Sequence, residues 1–483
     1  MTDMKNNFRN FFSVVLLTLI AAGTAQAKVV LPPIFADNMV LQQNADAALW
    51  GKAEPGAKVT ITNTWSKDKV VVSADAEGNW TANIATPTAG GPYEITFSDG
   101  EKVTLRNVLI GEVWICSGQS NMEMPMKGFK GQPTDGAAEL IMGAQKSTLI
   151  RSCKVQRNPS FNVEYESPAT WYEHTPEGVA EASATAYFFA KKLYETLNVP
   201  IGIINVSWGG STIQAWMSKE LIDKEFAGCF KMDAYQTKQM PKNPHQTVAM
   251  LYNGMLKPLV PFTARGFIWY QGCSNRMQYD LYKKLQPAFV EMLRHEWGNE
   301  KMPFYFTQIA PYKYDDADKP HAGYMMWAQA QTLETIPYSG MATTHDAGEL
   351  ACIHPANKKA VGDRLAYLAL YNDYGIKGFD PKAPVAKKFE FKDDAAYVTI
   401  DVDNMGLSPI NLELEGFELA GEDKVFYPAK AVLEKDRKTL KVFKCPEVSK
   451  PVAVRYGMKN WSEATVFNCY GIPMSPFRSD DWE

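Results

Sequence analysis

The chain is short of the residues on which metal and redox chemistry depend. Its six histidines show no HxH or HExxH spacing, so zinc-dependent hydrolysis is disfavoured. Its seven cysteines form no CxxC pair, which removes zinc knuckles and thioredoxin-type motifs. Neither sign of charge is in excess. Fifty Lys and Arg stand against 54 Asp and Glu, for a formal net charge of −4, and no basic stripe offers a nucleic-acid footprint. Tandem repeats and low-complexity segments are missing. Long apolar runs are missing too, with one exception near the start.

That exception is FFSVVLLTLIAA. It follows Lys5 and Arg9 and precedes Ala25-Gln26-Ala27, a small-x-small cleavage pattern. Residues 1–27 therefore read as a secretory signal peptide, with an apolar run too short to span a bilayer comfortably. The remaining chain is expected to be exported, periplasmic or secreted, and free of the membrane. Disulfides form in such compartments, and an odd cysteine count leaves at least one thiol unpaired.

Three stretches differ in pattern. Residues 28–105 carry short alternating runs such as AKVTITNT, KVVVSAD, WTANI and YEITFSDG with Gly, Asn and Pro between them, the pattern of a β-sandwich. From VLIGEVWICSGQS onward, apolar strands alternate with helical patterns, which predicts an α/β domain over 106–375 with helices flanking a parallel sheet. In DLYKKLQPAFVEMLRHEW, Leu281, Leu285, Phe289 and Leu293 share one helix face, with a kink or break expected at Pro287. Residues 376–483 return to a β pattern and are expected to form a second sandwich.

In open parallel sheets, ligands sit beyond the carboxyl ends of the strands. Ser120, Gly209, Gly210 and Asn275 each fall just after a predicted strand. Ser120 suits a nucleophile, glycines allow close backbone approach to a ligand, and an amide is a directed donor for an oxyanion. Taken singly, each also reads as an ordinary turn residue. A serine nucleophile needs a base. His345 and His354 both follow the strand GMATT, and His354, locked by Pro355 at a helix start, is the better held of the two. Trp208, Trp216, Trp269 and Tyr270 lie beside these positions, to stack on a sugar ring or to fill the core.

The order Ser, Gly, Asn, His, each after its own strand, resembles the SGNH hydrolases. More closely, the chain resembles the sialate O-acetylesterase family. The resemblance is carried by IGEVWICSGQSNMEMPM, PIGIINVSWGGSTIQAWMS, LYNGMLKPL, FIWYQGCSN, CIHPANKKAVGDRLA and YGIPMSPFRSDDW. It implies an SGNH-type α/β sheet and a metal-free, cofactor-free esterase acting on an O-acetylated sugar or glycan. It assigns Ser120 as nucleophile, His354 as base, and Gly210 and Asn275 as oxyanion donors, with Gly209 as a helper. O-acetylated sialic acid is the expected substrate. Acetylated xylan or pectin, or a catalytically silent sugar-binding protein, are the alternatives.

Two departures stand out. SGNH enzymes usually place Asp three residues before the histidine, and many relatives place it two before; here those positions hold Ala351 and Cys352. The orienting acid would then be Asp346 or Glu349 looping back, or a backbone carbonyl in a Ser-His dyad. Relatives also read WYQGESN where this chain has Cys273. The two cysteines thus stand two residues before Asn275 and two before His354, which suggests a Cys273–Cys352 disulfide tying the two loops.

Overall fold

The structure, a computed structural model, describes residues 28–315, 320–410 and 412–482. The expected signal peptide lies outside them. Among the described residues no helix is long and apolar enough to cross a membrane.

The run VLIGEVWICSG is apolar at nearly every position, so both of its faces need cover, as in a parallel sheet roofed by helices. It is the second half of one long strand, Lys102–Gly118, in which every residue from Val108 onward is buried. This strand lies at the middle of a seven-strand sheet. On one side follow Gly266–Tyr270, Phe304–Thr307 and Ser339–Ala342; on the other, Ile201–Ser207, Ile150–Val155 and Ala169–Tyr172. All pairings are parallel except the last, between Ile150–Val155 and Ala169–Tyr172.

Alternation along the strands divides the core into two layers. Trp114, Cys116, Ile268 and Tyr270 face the helices Ala184–Leu197 and Lys358–Asn372, where Phe189, Leu193, Leu365 and Leu368 meet them. Val113, Ile115, Phe267 and Trp269 face the other way, toward the helix Tyr279–Glu296. There the Trp269 and Phe289 rings lie 4.7 Å apart. The expected break at Pro287 does not occur: the helix runs through it. Leu285, Phe289 and Leu293 are buried, and their packing outweighs the backbone hydrogen bond that proline removes.

The first half of the long strand belongs to the N-terminal β region. It pairs with Gly90–Ser98, which pairs in turn with Lys58–Asn63. The antiparallel pair Asp46–Lys52 and Asn79–Ala85 forms a separate small sheet. The expected boundary between 105 and 106 thus falls inside a continuous strand. At the other end of the chain, two four-stranded antiparallel sheets enclose one core that includes Val398, Leu419, Leu440 and Tyr456. This region is bonded to the central domain, for example through Gln308 Nε2 to Ser475 Oγ at 2.8 Å.

Candidate active site

Register brings three strand ends to one level: Gly118 lies opposite both Ser207 and Tyr270. A side chain at Gly118 is excluded. Its φ is +137°, and a Cβ there would lie 2.2 Å from the Tyr270 carbonyl oxygen. Gln119 then ties the turn to the neighbouring strand, its N–H donating to the Tyr270 carbonyl and its Oε1 accepting from the Gly272 N–H, both at 2.9 Å. Ser120 opens the short helix Ser120–Glu123. As the first helical residue its N–H has no partner within the helix, nor any other among the described residues.

His354 meets this serine. Its Nε2 lies 2.7 Å from Ser120 Oγ, and its Nδ1 lies 2.6 Å from Gln132 Oε1. A carboxamide oxygen only accepts. Nδ1 therefore carries the proton and Nε2 presents its lone pair to the hydroxyl, the tautomer a general base requires. Burial, and then the nearby Lys358 ammonium, push the His354 pKa down to about 4.

The residue after the serine holds the base loop in place. Asn121 Nδ2 donates to the Ile353 carbonyl at 3.0 Å, while its Oδ1 accepts from Lys358 Nζ at 2.8 Å. Lys358 also donates to the Pro355 carbonyl at 2.5 Å. Its burial lowers its pKa to about 7.

The expected oxyanion donors differ in availability. Gly210 has φ +74°, and its N–H has no partner among the described residues. The Gly209 N–H is taken by Glu123 Oε2 at 2.8 Å. Asn275 is almost fully buried, and its Nδ2 donates to Gln214 Oε1 at 3.0 Å and Gln278 Oε1 at 3.2 Å. Its Oδ1 accepts from the Ile213 N–H and from Gln271 Nε2. Asn275 reaches an oxyanion only by giving up one of these bonds; as it stands, it braces the loop that follows Gly210.

Several expected contacts are not made. Asp346 forms a two-pronged ion pair with Arg364, at 2.7 and 2.6 Å, and Glu349 Oε1 accepts from the Ala356 N–H. Neither orients His354. No Cys273–Cys352 disulfide is present. Cys273 is buried against Tyr314, and Cys352 Sγ donates to the carbonyl of His354, so each sulfur is turned to its own surroundings. His345 lies elsewhere, with its Nε2 on Ser462 Oγ. Trp216, Trp269 and Tyr270 are core residues; only Trp208 of the four aromatics is partly exposed. It stacks on His245 with centroids 5.6 Å apart, and the Arg157 guanidinium, paired with Glu123, lies over it at 5.1 Å.

Gln132, Asn121, Lys358 and the Glu123–Arg157 pair are functional candidates that motif reasoning missed. For Gln132 the one local signal is the glycine spacing in KGFKGQP, which foretells a tight turn but not where its side chains point.

Comparison with known proteins gives a consistent result. Residues 110–370 match the family described as carbohydrate esterase, sialic acid-specific acetylesterase. The chain is 29% identical over 394 residues to a sialate O-acetylesterase of Homo sapiens, covering 73% of each sequence. It is 28% identical over 436 residues to one of Mus musculus, covering 78% of this chain and 80% of that one. Among solved structures, a carbohydrate acetylesterase from Xanthomonas citri superposes with a TM-score of 0.84 at 32% identity, covering 94% of this chain and all of that one.

Proposed function

Because this chain belongs to the sialic acid-specific acetylesterase family of carbohydrate esterases, and is accordingly a carboxylic ester hydrolase, we propose that it releases acetate from an O-acetylated sugar through an acyl-enzyme on Ser120, with O-acetylated sialic acid as its substrate. The observation that carries this reading is the 2.7 Å contact between Ser120 Oγ and the bare Nε2 of His354. His354 Nε2 takes the hydroxyl proton as Oγ attacks the acetyl carbonyl. The free N–H groups of Ser120 and Gly210 receive the developing oxyanion, which backbone donors stabilise without reorganising. The imidazolium returns its proton to the sugar oxygen as the ester C–O bond breaks. Water, deprotonated by the same histidine, then frees acetate. Asn275 serves by fixing the Gly210 loop.

The sugar would lie against the partly exposed edge of Trp208, two residues before Gly210. Export follows from residues 1–27; N-terminal sequencing of the protein from the periplasm or medium should begin at Lys28 if they are removed.

Acetate release from a panel of O-acetylated sialic acids, acetylated xylan and acetylated pectin tests the substrate. Preference for the sialic acids supports the proposal. Preference for a plant glycan replaces the substrate while leaving the chemistry. Equal hydrolysis of p-nitrophenyl acetate by wild type and Ser120→Ala would remove Ser120 from the mechanism, and only a background rate in both would leave a catalytically silent sugar-binding protein.

A further inference from the structure

We propose that Gln132 is the positioning residue of the base, a neutral amide acting where a carboxylate is expected. The inference rests on the Ser120–His354 mechanism above and extends it. Gln132 Oε1 lies 2.6 Å from His354 Nδ1. None of the acids near the loop makes this contact: Asp346 is held by Arg364, and Glu349 by the Ala356 N–H.

The turn that delivers Gln132 is built for the purpose. Gly128 and Gly131 both have left-handed φ, +80° and +74°, and a Cβ on Gly128 would lie 2.4 Å from the Gln132 carbonyl oxygen. Phe129 and Gln132 exchange two backbone hydrogen bonds, at 3.0 and 2.9 Å. The Phe129 ring lies edge-on to the imidazole, with centroids 5.3 Å apart. The Asp135 N–H donates to the Ala356 carbonyl, and the Met126 N–H to the Ala182 carbonyl, which anchors the turn at both ends. One turn thus sets the ring's tilt through Phe129 and its tautomer through Gln132.

The chemistry of an amide differs from that of a carboxylate in two ways. An amide carries no charge, so it does not stabilise the imidazolium formed during the reaction. It can also present its NH2 group to Nδ1, which would place the proton on Nε2 and silence the base. The charged and titratable surroundings add no compensating acid. Lys358 lies beneath His354; Glu349 and Cys352 on the same loop, Cys273 and Asp135 surround Lys358; and Glu123 with Arg157 stands beyond the serine. None of these side chains bonds to the imidazole among the described residues.

The test is the pH dependence of kcat and KM for p-nitrophenyl acetate with wild type, Gln132→Leu, Gln132→Glu and Ser120→Ala. Gln132→Leu should lower kcat by about 10- to 100-fold with little change in KM. Gln132→Glu should keep or exceed the wild-type rate near pH 8. It should also move the acid limb upward by about one pH unit or more, because a carboxylate favours the imidazolium. Wild-type kcat and an unmoved acid limb in both variants would overturn the proposal, as would a Gln132→Leu effect that Gln132→Glu fails to rescue. A rate in Ser120→Ala equal to wild type would instead overturn the underlying mechanism, so the two failures are distinguishable.

Discussion

Two histidines nine residues apart on one loop each place Nε2 2.7 Å from a serine oxygen: His354 on Ser120, and His345 on Ser462. Burial drives the pKa of each down to about 4. Only one pair has its serine at the end of the central strand. Ser120 has a left-handed glycine before it, unpaired N–H groups around it and an acceptor behind its histidine. His345 is packed inside the junction with the C-terminal β region, edge-on to Tyr456 at 5.4 Å and against Gly457. The comparison teaches that a serine–histidine hydrogen bond does not by itself make a nucleophile. Access, a place for the oxyanion and a fixed tautomer set the pair proposed to react apart from the structural one.

Substitutions sharpen that contrast. Ser120→Ala should lower kcat on p-nitrophenyl acetate by about 10⁴-fold or more, whereas Ser462→Ala should leave it within about twofold; comparable losses in both would erase the distinction. His354→Ala should also lose about 10⁴ in kcat with an unchanged melting temperature. His345→Ala should reverse the pattern, keeping most activity while losing about 2–4 kcal/mol of stability from the cavity left by a buried ring.

The pH profile gives a subtler test. As the proposed base, His354 works only when neutral, and its folded pKa lies below the ordinary histidine value, so activity should be present above that pKa and lost as pH falls through it. The acid limb of kcat/KM should be centred near 4; a limb near 6.5 would mean that the ring is not desolvated as described. The smallest effect on rate belongs to Asp346→Asn. It should change kcat less than about twofold, yet lower the melting temperature by a few degrees, because it removes the charge that pairs with the buried Arg364 guanidinium.

Much of the central sheet was legible because period-2 and near-continuous apolar runs report burial directly, as in VWIC and FIWY. Ser120 and Gly210 stood out because each follows such a run, and His354 because Pro355 follows it at an expected helix start. The long strand hid the domain boundary, since nothing in KVTLRNVLIG marks where one sheet hands over to another. Asp346 looked like the orienting acid only through closeness in sequence; Arg364, eighteen positions on, claims it. Gln132 could not be read, because its contact spans 222 positions and depends on a glycine-shaped turn rather than a motif. The helix through Pro287 shows the same lesson for local structure: tertiary packing overrode a breaker.

The strand Lys102–Gly118 runs 17 residues, about 55 Å at roughly 3.3 Å per residue. It acts as a girder common to two storeys of the building. Cutting the chain at residue 106 would not detach an accessory module; it would saw through the beam on which Ser120 is mounted. The N-terminal region should therefore melt together with the hydrolase in a single transition, and its loss should be felt as inactivity rather than as altered sugar preference.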